Sequence, residues 1–373
     1  MFNLKYFYLL VFSTFLLGVF SCSQKPKNQV PVFDLSDIIL DTFYLEKDTI
    51  TKDLGYNFHY VINDEGEFLV TSAQDRFMIY SYPEGKMIRD QIYDKEGPNG
   101  IGSFLQVNFT DDSTSWFVSF QELIRADQFG KVLMRFDLPD GPEERLAINY
   151  NNLVGTKAMN TKGKVIIPDV PFVLKKPLLG YENWLLEFDL ADSSINYIKF
   201  KYPSKYVDFL DDPNFAAYQN GYDEEHNFHL ISFPADDSLL VISPQSKKWV
   251  YAGVSDKMEF LVGKTVPRGE FTAFLPNEKS SKYSWVDYDP RSQTYIRQAI
   301  VITDTEENRS QGRNPLTKLV ILDSDFKKSM EVILPFPTRG FPTPKGYYLN
   351  IGYPHSEDEV AFVRLDFSKI LFP

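Results

Sequence analysis

Residues 68–102, FLVTSAQDRFMIYSYPEGKMIRDQIYDKEGPNGIG, narrow the choice of fold more than any other stretch. Two short apolar-aromatic runs, Phe68–Thr71 and Phe77–Tyr82, flank a polar turn. Pro83-Glu84-Gly85 makes a second turn, Lys86–Tyr93 alternates apolar and polar side chains, and Gly97-Pro98-Asn99-Gly100 ends the unit. Gly and Pro supply the turns, and period-two alternation supplies a buried face, so the stretch reads as strand, turn, strand, turn, strand. This is the pattern of one blade of a β-propeller.

The pattern recurs, and no long stretch has helical periodicity. Phe58–Asn63 completes the first four-strand group. Leu105–Phe109, Trp116–Phe120, Leu123–Ala126 and Val132–Leu138 form a second, with Gly130-Lys131 turning as Gly85-Lys86 does. Leu153–Met159, Lys164–Ile167, Trp184–Leu190 and Asn196–Phe200 form a third. Phe228–Phe233, Leu239–Ile242 and Lys248–Ala252 form a fourth, with Phe215–Tyr218 as its inner strand. Phe271–Leu275, Tyr283–Tyr288, Tyr295–Thr303, Leu319–Asp323 and Met330–Leu334 form a fifth, interrupted by a loop at Thr305–Pro315. Tyr347–Ile351 and Val360–Phe367 make an incomplete sixth, and Val32–Leu45 has no partner nearby in sequence. A ring closes if that N-terminal run completes the last blade, which removes exposed sheet edges. The expected fold is therefore all-β, a single β-propeller over 32–373 closed by its N- and C-terminal strands. Six blades of ~58 residues are favoured and seven stay open. A pair of β-sandwich domains would need a linker, and no Pro/Ser/Gly-rich stretch supplies one.

Residues 1–21 carry one charge, Lys5, before an apolar run from Tyr6 to Phe20. That run is shorter than the ~20 residues that span a bilayer, so it reads as a secretory signal. It ends in Val19-Phe20-Ser21-Cys22, which resembles the lipobox of bacterial lipoproteins, although Phe20 stands where a small residue is more usual. Cys22 is the only cysteine and is expected to carry the lipid; a diacylglyceryl plus an amide-linked acyl chain holds a protein firmly to a membrane. Residues 22–31 follow as a polar tether. Lys25-Pro26-Lys27 replaces the acidic run that accompanies surface display in such lipoproteins, which favours an outer-membrane position facing the periplasm. Together the lipobox, the Gly85-Lys86 blade pattern and Glu96-Gly97-Pro98-Asn99-Gly100-Ile101-Gly102 resemble the TolB-like β-propeller lipoproteins of Bacteroides-type bacteria. The resemblance implies a propeller and an envelope address, and it brings no established reaction.

Composition excludes several classes. The formal charge of −12 repels phosphate backbones, so nucleic acid is not an expected partner. With Cys22 acylated no thiol remains for disulfides, thiolate zinc sites or nucleophilic catalysis. The 32 Phe and 22 Tyr suit β-sheet faces, where flat rings pack on pleated neighbours.

Candidate chemistry is sparse. The glycine-rich loop at 96–102 precedes a strand, whereas a phosphate loop needs a helix N-terminus, so Gly97, Pro98, Asn99 and Gly100 read as an inter-blade turn. Asp223, His226 and His229 suggest a metal site, but residues three apart on a strand point to opposite faces. His226 and Asp223 thus remain weak metal candidates. The pairs Asp287/Asp289 and Asp323/Asp325, with Asp304, Glu306 and Glu307, lack a full calcium-loop pattern and read as turn residues. Trp116, Trp184, Trp249 and Trp285 lie in apparent strands, and core packing suits most of them. Arg125, Arg268 and Arg339 lie beside strands or turns, where they could line a funnel for an anionic ligand. No Gly-x-Ser-x-Gly elbow occurs.

These observations lead to a lipid-anchored envelope propeller acting as a binding or scaffold module for a protein or glycan, with no cofactor. The rival is a lactonase-like or glycan-processing enzyme using carboxylates and a divalent metal at the channel mouth.

Overall fold

Short runs of β-branched and aromatic residues, cut by glycine and aspartate turns, become a succession of four-stranded antiparallel meanders. The computed structural model describes residues 30–368 except 52–53, 55–57, 74–75, 103–106, 111–113, 120, 143–149, 151–154, 304–309, 311–314 and 352–357. The unit considered begins at Val32. It enters through β1 (Val32–Asp34), a 3-10 turn (Leu35–Ile38) and β2 (Ile39–Glu46). Blade 1 is β3 (His59–Asn63), β4 (Gly66–Ala73), β5 (Arg76–Ser81) and β6 (Met87–Ile92). Blade 2 is β7 (Val107–Thr110), β8 (Thr114–Ser119), β9 (Glu122–Asp127) and β10 (Val132–Asp137). Blade 3 is β11 (Met159–Thr161), β12 (Lys164–Pro168), β13 (Leu185–Asp189) and β14 (Ile195–Ile198). Blade 4 is β15 (Gln219–Asp223), β16 (Phe228–Ser232), β17 (Ser238–Ile242) and β18 (Lys247–Tyr251). A separate hairpin, β19 (Lys264–Arg268) and β20 (Phe271–Leu275), follows. Blade 5 is β21 (Lys282–Asp289), β22 (Thr294–Val301), β23 (Leu316–Leu322) and β24 (Lys328–Leu334). Blade 6 is β25 (Gly340–Thr343), β26 (Gly346–Asn350) and β27 (Glu359–Leu365), completed by β2.

The expected closure is present in a more elaborate form. β2 pairs antiparallel with β27, placing Phe43 opposite Phe362 and Glu46 opposite Glu359. The residues before it do not continue that strand. β1 instead pairs in parallel with β24, Val32 opposite Glu331, and adds a fifth strand to blade 5. The buried Ile38 in the intervening turn redirects the chain between the two sheets. Closure also meets blade 1, where Glu46 N donates to Gly85 O at 2.9 Å. Gly85 sits at φ +73°, and a Cβ there would fall 1.8 Å from Tyr44 O, so only glycine allows the approach.

Three strand expectations need correction. Phe215–Tyr218 is not the inner strand of blade 4: Pro213–Ala216 forms a helical turn, started by the Asp212 carboxylate accepting from Asn214 N at 2.9 Å. β15 takes the inner position. Phe271–Leu275 belongs to the separate hairpin rather than to blade 5. The last blade gains an inner strand, β25, which Pro342 disguised because proline lacks the donor a ladder normally uses. Thr305–Pro315 lies almost wholly outside the described residues.

Blades pack face to face, so their middle strands are covered on both sides. β23 is buried at every position, whereas the outer strand β10 alternates between half-buried and exposed. Six apolar clusters result, one at each interface between neighbouring blades. The interface of blades 3 and 4 is rich in rings, with Trp184, Tyr202, Tyr206, Tyr218 and Phe233 packed mainly edge to face. Each fully buried ring contributes about 2–3 kcal/mol of transfer free energy.

Two buried polar assemblies reinforce the fourth and fifth blades. The Arg297 guanidinium is fully buried and lies 3.7 Å from the Tyr283 ring centroid. It donates to Ser232 Oγ at 2.9 Å, Phe233 O at 3.1 Å, Asp236 O at 2.7 Å and Ala252 O at 3.3 Å. On blade 5 the buried Glu331 accepts from Lys318 Nζ at 2.9 Å, from Ser255 and from Lys328. Burial pushes its carboxyl up, but these three partners outweigh burial and hold it below the ordinary carboxylate range. Among the described residues no helix is long and apolar enough to cross a membrane.

Candidate functional site

The innermost strands β3, β7, β11, β15, β21 and β25 surround the central channel. Where these strands end, the channel widens into a cavity of about 700 Å³. Five of the six contribute to its wall, through residues such as Tyr60, Asn160, Tyr222, Asp287 and Pro342. The loop joining β15 to β16 adds Glu224 and Glu225.

Below the mouth, Lys157 of blade 3 reaches across to Asp287 of blade 5, with Nζ 2.9 and 3.0 Å from the two carboxylate oxygens. Tyr347 of blade 6 donates its hydroxyl to Asp287 Oδ2 at 2.8 Å. Burial and the adjacent Asp287 raise the Tyr347 hydroxyl well above its ordinary range, so it remains a donor. Asn220 of blade 4 fixes the backbone beside Lys157, accepting from Lys157 N at 2.8 Å and donating to Lys157 O at 2.9 Å. Four blades thus meet at one polar waist.

Arg339, directly before β25, is the other charge at this level. It is 7% exposed, and burial pushes its guanidinium down to about 10, against the attraction of Asp287. Its Nη2 lies 2.9 Å from where a Cβ on Gly155 would sit. Gly155 precedes blade 3 and Arg339 begins blade 6, so the side chain crosses the channel between opposite blades. Among the described residues its guanidinium has no hydrogen bond or ion pair.

The three arginines singled out in the sequence do not converge. Arg125 lies on β9, two strands out from the channel, with Nε donating to Thr114 Oγ1 at 3.1 Å and its guanidinium over Trp116. Arg268 is exposed on the separate hairpin. Only Arg339 enters the channel. The reason is register: the arginines stand on strands at different depths in their sheets, which local sequence does not reveal.

Asp223 and His226 bind each other rather than a shared third group. The buried Asp223 carboxylate accepts from His226 N at 3.0 Å, His226 Nδ1 at 2.8 Å and Tyr295 Oη at 2.7 Å. Its lone pairs are therefore spent on holding the β15–β16 turn. His229 instead packs tilted against Tyr222, with ring centroids 4.8 Å apart, and burial pushes its imidazole down to about 4. Among the described residues no group of three His, Cys, Asp or Glu side chains gathers at one point. Asp289 and Asp323 accept backbone N–H groups of the turns they begin. Asp304, Glu306, Glu307 and Cys22 lie outside the described residues.

The loop with Gly97, Pro98, Asn99 and Gly100 turns between β6 and β7 and ties blade 1 to the edge of blade 2. Gly100 N donates to Gly97 O at 3.0 Å, and Asn99 Oδ1 accepts from Val132 N at 3.1 Å. Trp116, Trp184 and Trp285 are buried, whereas Trp249 is 49% exposed on the outer strand β18.

Sequence reading missed Lys157, Tyr347 and the channel role of Asp287. The available signal was Asp287 itself, a carboxylate inside the run Tyr283–Tyr288, which otherwise packs in the core. It read equally well as a turn residue beside Asp289.

Comparison with known proteins agrees with the architecture. The chain is similar to the crystal structure of a DUF4221 family member from Bacteroides vulgatus, with a TM-score of 0.66 and 16% identity over 88% of this chain and 97% of that one. It is also similar to a "Putative exported protein" from Bacteroides fragilis, with a TM-score of 0.53 and 10% identity over 90% of this chain and 99% of that one. At such identities the likeness shows the fold alone. No curated protein matches the chain. Residues 33–331 match a family described as "Domain of unknown function (DUF4221)", and the chain belongs to that family.

Proposed function

We propose that the chain is a lipid-anchored, extracytoplasmic propeller that binds a glycan in its central cavity. One observation carries this reading: a cavity of about 700 Å³ whose wall includes both aromatic side chains and planar hydrogen-bonding groups. The half-buried Tyr60 and Tyr222 offer ring surface, while Asn160, Glu224 and Glu225 offer amide and carboxylate groups. Sugars present C–H faces that pack on rings and hydroxyls that need such planar partners. The volume falls within the range typical of small-ligand sites. The two tyrosine hydroxyls are held by Glu67 and Asn227, which fixes the rings before a ligand arrives.

The enzymatic alternative is the weaker reading. Lys157 and Tyr347 already occupy Asp287, so the deepest carboxylate of the cavity is bonded within the protein rather than turned to a substrate. The address rests on the Val19–Cys22 motif and on the description of the Bacteroides fragilis neighbour as exported.

Two experiments test the proposal. The detergent-solubilised full chain, titrated with a panel of oligosaccharides, is expected to bind a subset saturably and to lose that binding in Asn160→Leu. Failure of the whole panel would remove the glycan reading. In cells, acyl label is expected on the wild type and not on Cys22→Ala; label that persists in the variant would refute the anchor.

A further inference from the structure

The waist of the channel carries one positive charge more than it can neutralise. Lys157 and Asp287 cancel each other, with Tyr347 filling a further lone pair of the carboxylate. Arg339 is left with its guanidinium buried, crossing the channel and bonded to no acceptor among the described residues. A buried charge without a partner carries a desolvation penalty of several kcal/mol. Histidine or lysine in that position can shed its proton, but arginine cannot near neutral pH. Its planar fork of N–H donors matches a carboxylate with two parallel hydrogen bonds.

From this geometry we infer that the waist is an anion subsite, in which Arg339 receives one carboxylate of the ligand. The ligand is then an acidic saccharide of the hexuronate class, with its carboxylate directed down the channel and its neutral sugar surface against the cavity wall. This inference rests on the glycan reading above and adds the charge of the ligand to it. Lys157 stands beside the same carboxylate as a second cation, held in place by Asp287.

The test titrates the full chain with oligogalacturonate, with its methyl ester, and with a tripeptide bearing a free C-terminal carboxylate. The free acid is expected to bind about tenfold to a hundredfold more tightly than the ester, the range for a charge-assisted pair. Arg339→Met is expected to bring the acid down to the affinity of the ester while leaving ester binding unchanged. Its thermal midpoint is expected to match or exceed that of the wild type, which separates lost recognition from lost folding. Arg339→Lys is expected to recover part of the preference for the acid. Equal binding of acid and ester by the wild type, or an unchanged preference in Arg339→Met, would overturn the subsite while leaving the glycan reading intact. Binding of the tripeptide in place of both saccharides would overturn the glycan reading and the hexuronate assignment together. Absence of binding by all three probes would overturn the inference as stated.

Discussion

Two arginines of this propeller are almost equally buried and live in opposite circumstances. Arg297, between blades 4 and 5, donates to a serine hydroxyl and three carbonyls and lies over a tyrosine ring. The Arg339 guanidinium, at the waist, has no acceptor among the described residues. Burial pushes both guanidinium groups down to about 10, so both stay charged at neutral pH. The first is a strut whose every bond goes to its own chain. The guanidinium of the second contributes no bond to folding among the described residues, and its charge becomes useful only when something enters the channel. A saturated buried charge serves the fold, and an unsaturated one points toward a ligand.

The largest expected effect comes from removing the strut. Arg297→Met leaves three carbonyls and the Ser232 hydroxyl without their donor and is expected to cost about 3–5 kcal/mol in denaturant unfolding. A loss below 1 kcal/mol would erase the contrast.

His229 sharpens the comparison, since it is a buried base that can give up its charge. Its Nδ1 has no partner, and burial alone holds the imidazole down at about 4. Above the ordinary histidine range near 6.5 the ring is neutral in both folded and unfolded states and affects neither. As the pH falls from there toward 4, the unfolded chain takes a proton that the folded chain refuses, so stability drops. The drop approaches roughly 3 kcal/mol at pH 4. His229→Leu is expected to flatten that part of the pH profile measured by urea unfolding; an unchanged profile would show that another group titrates there.

A third buried charge, Glu331, should behave as Arg297 does. Lys318→Met takes away one of its three partners and is expected to cost about 2 kcal/mol. Because the Glu331 carboxyl is held below its ordinary value, its contribution is complete above that value and fades as the pH falls through the lower, folded one. Unfolding measured at pH 7 and pH 3 checks this, and a Lys318→Met penalty that is the same at both would contradict it. The smallest loss is expected at the waist, where Arg339→Met should leave stability unchanged or raise it, because the variant no longer buries an unpaired charge.

Much of the architecture was legible because strands and turns are local. Alternation in Lys86–Tyr93, the proline and glycine of the turn before it, and the orphaned run at Val32–Leu45 were enough to propose a ring and its closure. The exceptions have local causes as well. Pro342 concealed an inner strand, and Asp212-Pro213 began a helical turn where aromatic residues suggested a strand. The waist was far less legible. Lys157, Asp287, Arg339 and Tyr347 come from three blades and span just over half the chain, and nothing in their own neighbourhoods marks them. Arg339 entered the candidate set as one of three similar arginines. Only the ring, by setting blade 3 opposite blade 6, separates it from Arg125 and Arg268.

Thermal unfolding of the wild type and Arg339→Met, each with and without saturating oligogalacturonate, tests the central claim most directly. Without the saccharide the variant should melt at or above the wild-type temperature, and with it the wild type should rise by more than the variant. A variant that melts well below the wild type without ligand would show that Arg339 is a second strut, and the contrast between the two arginines would fall.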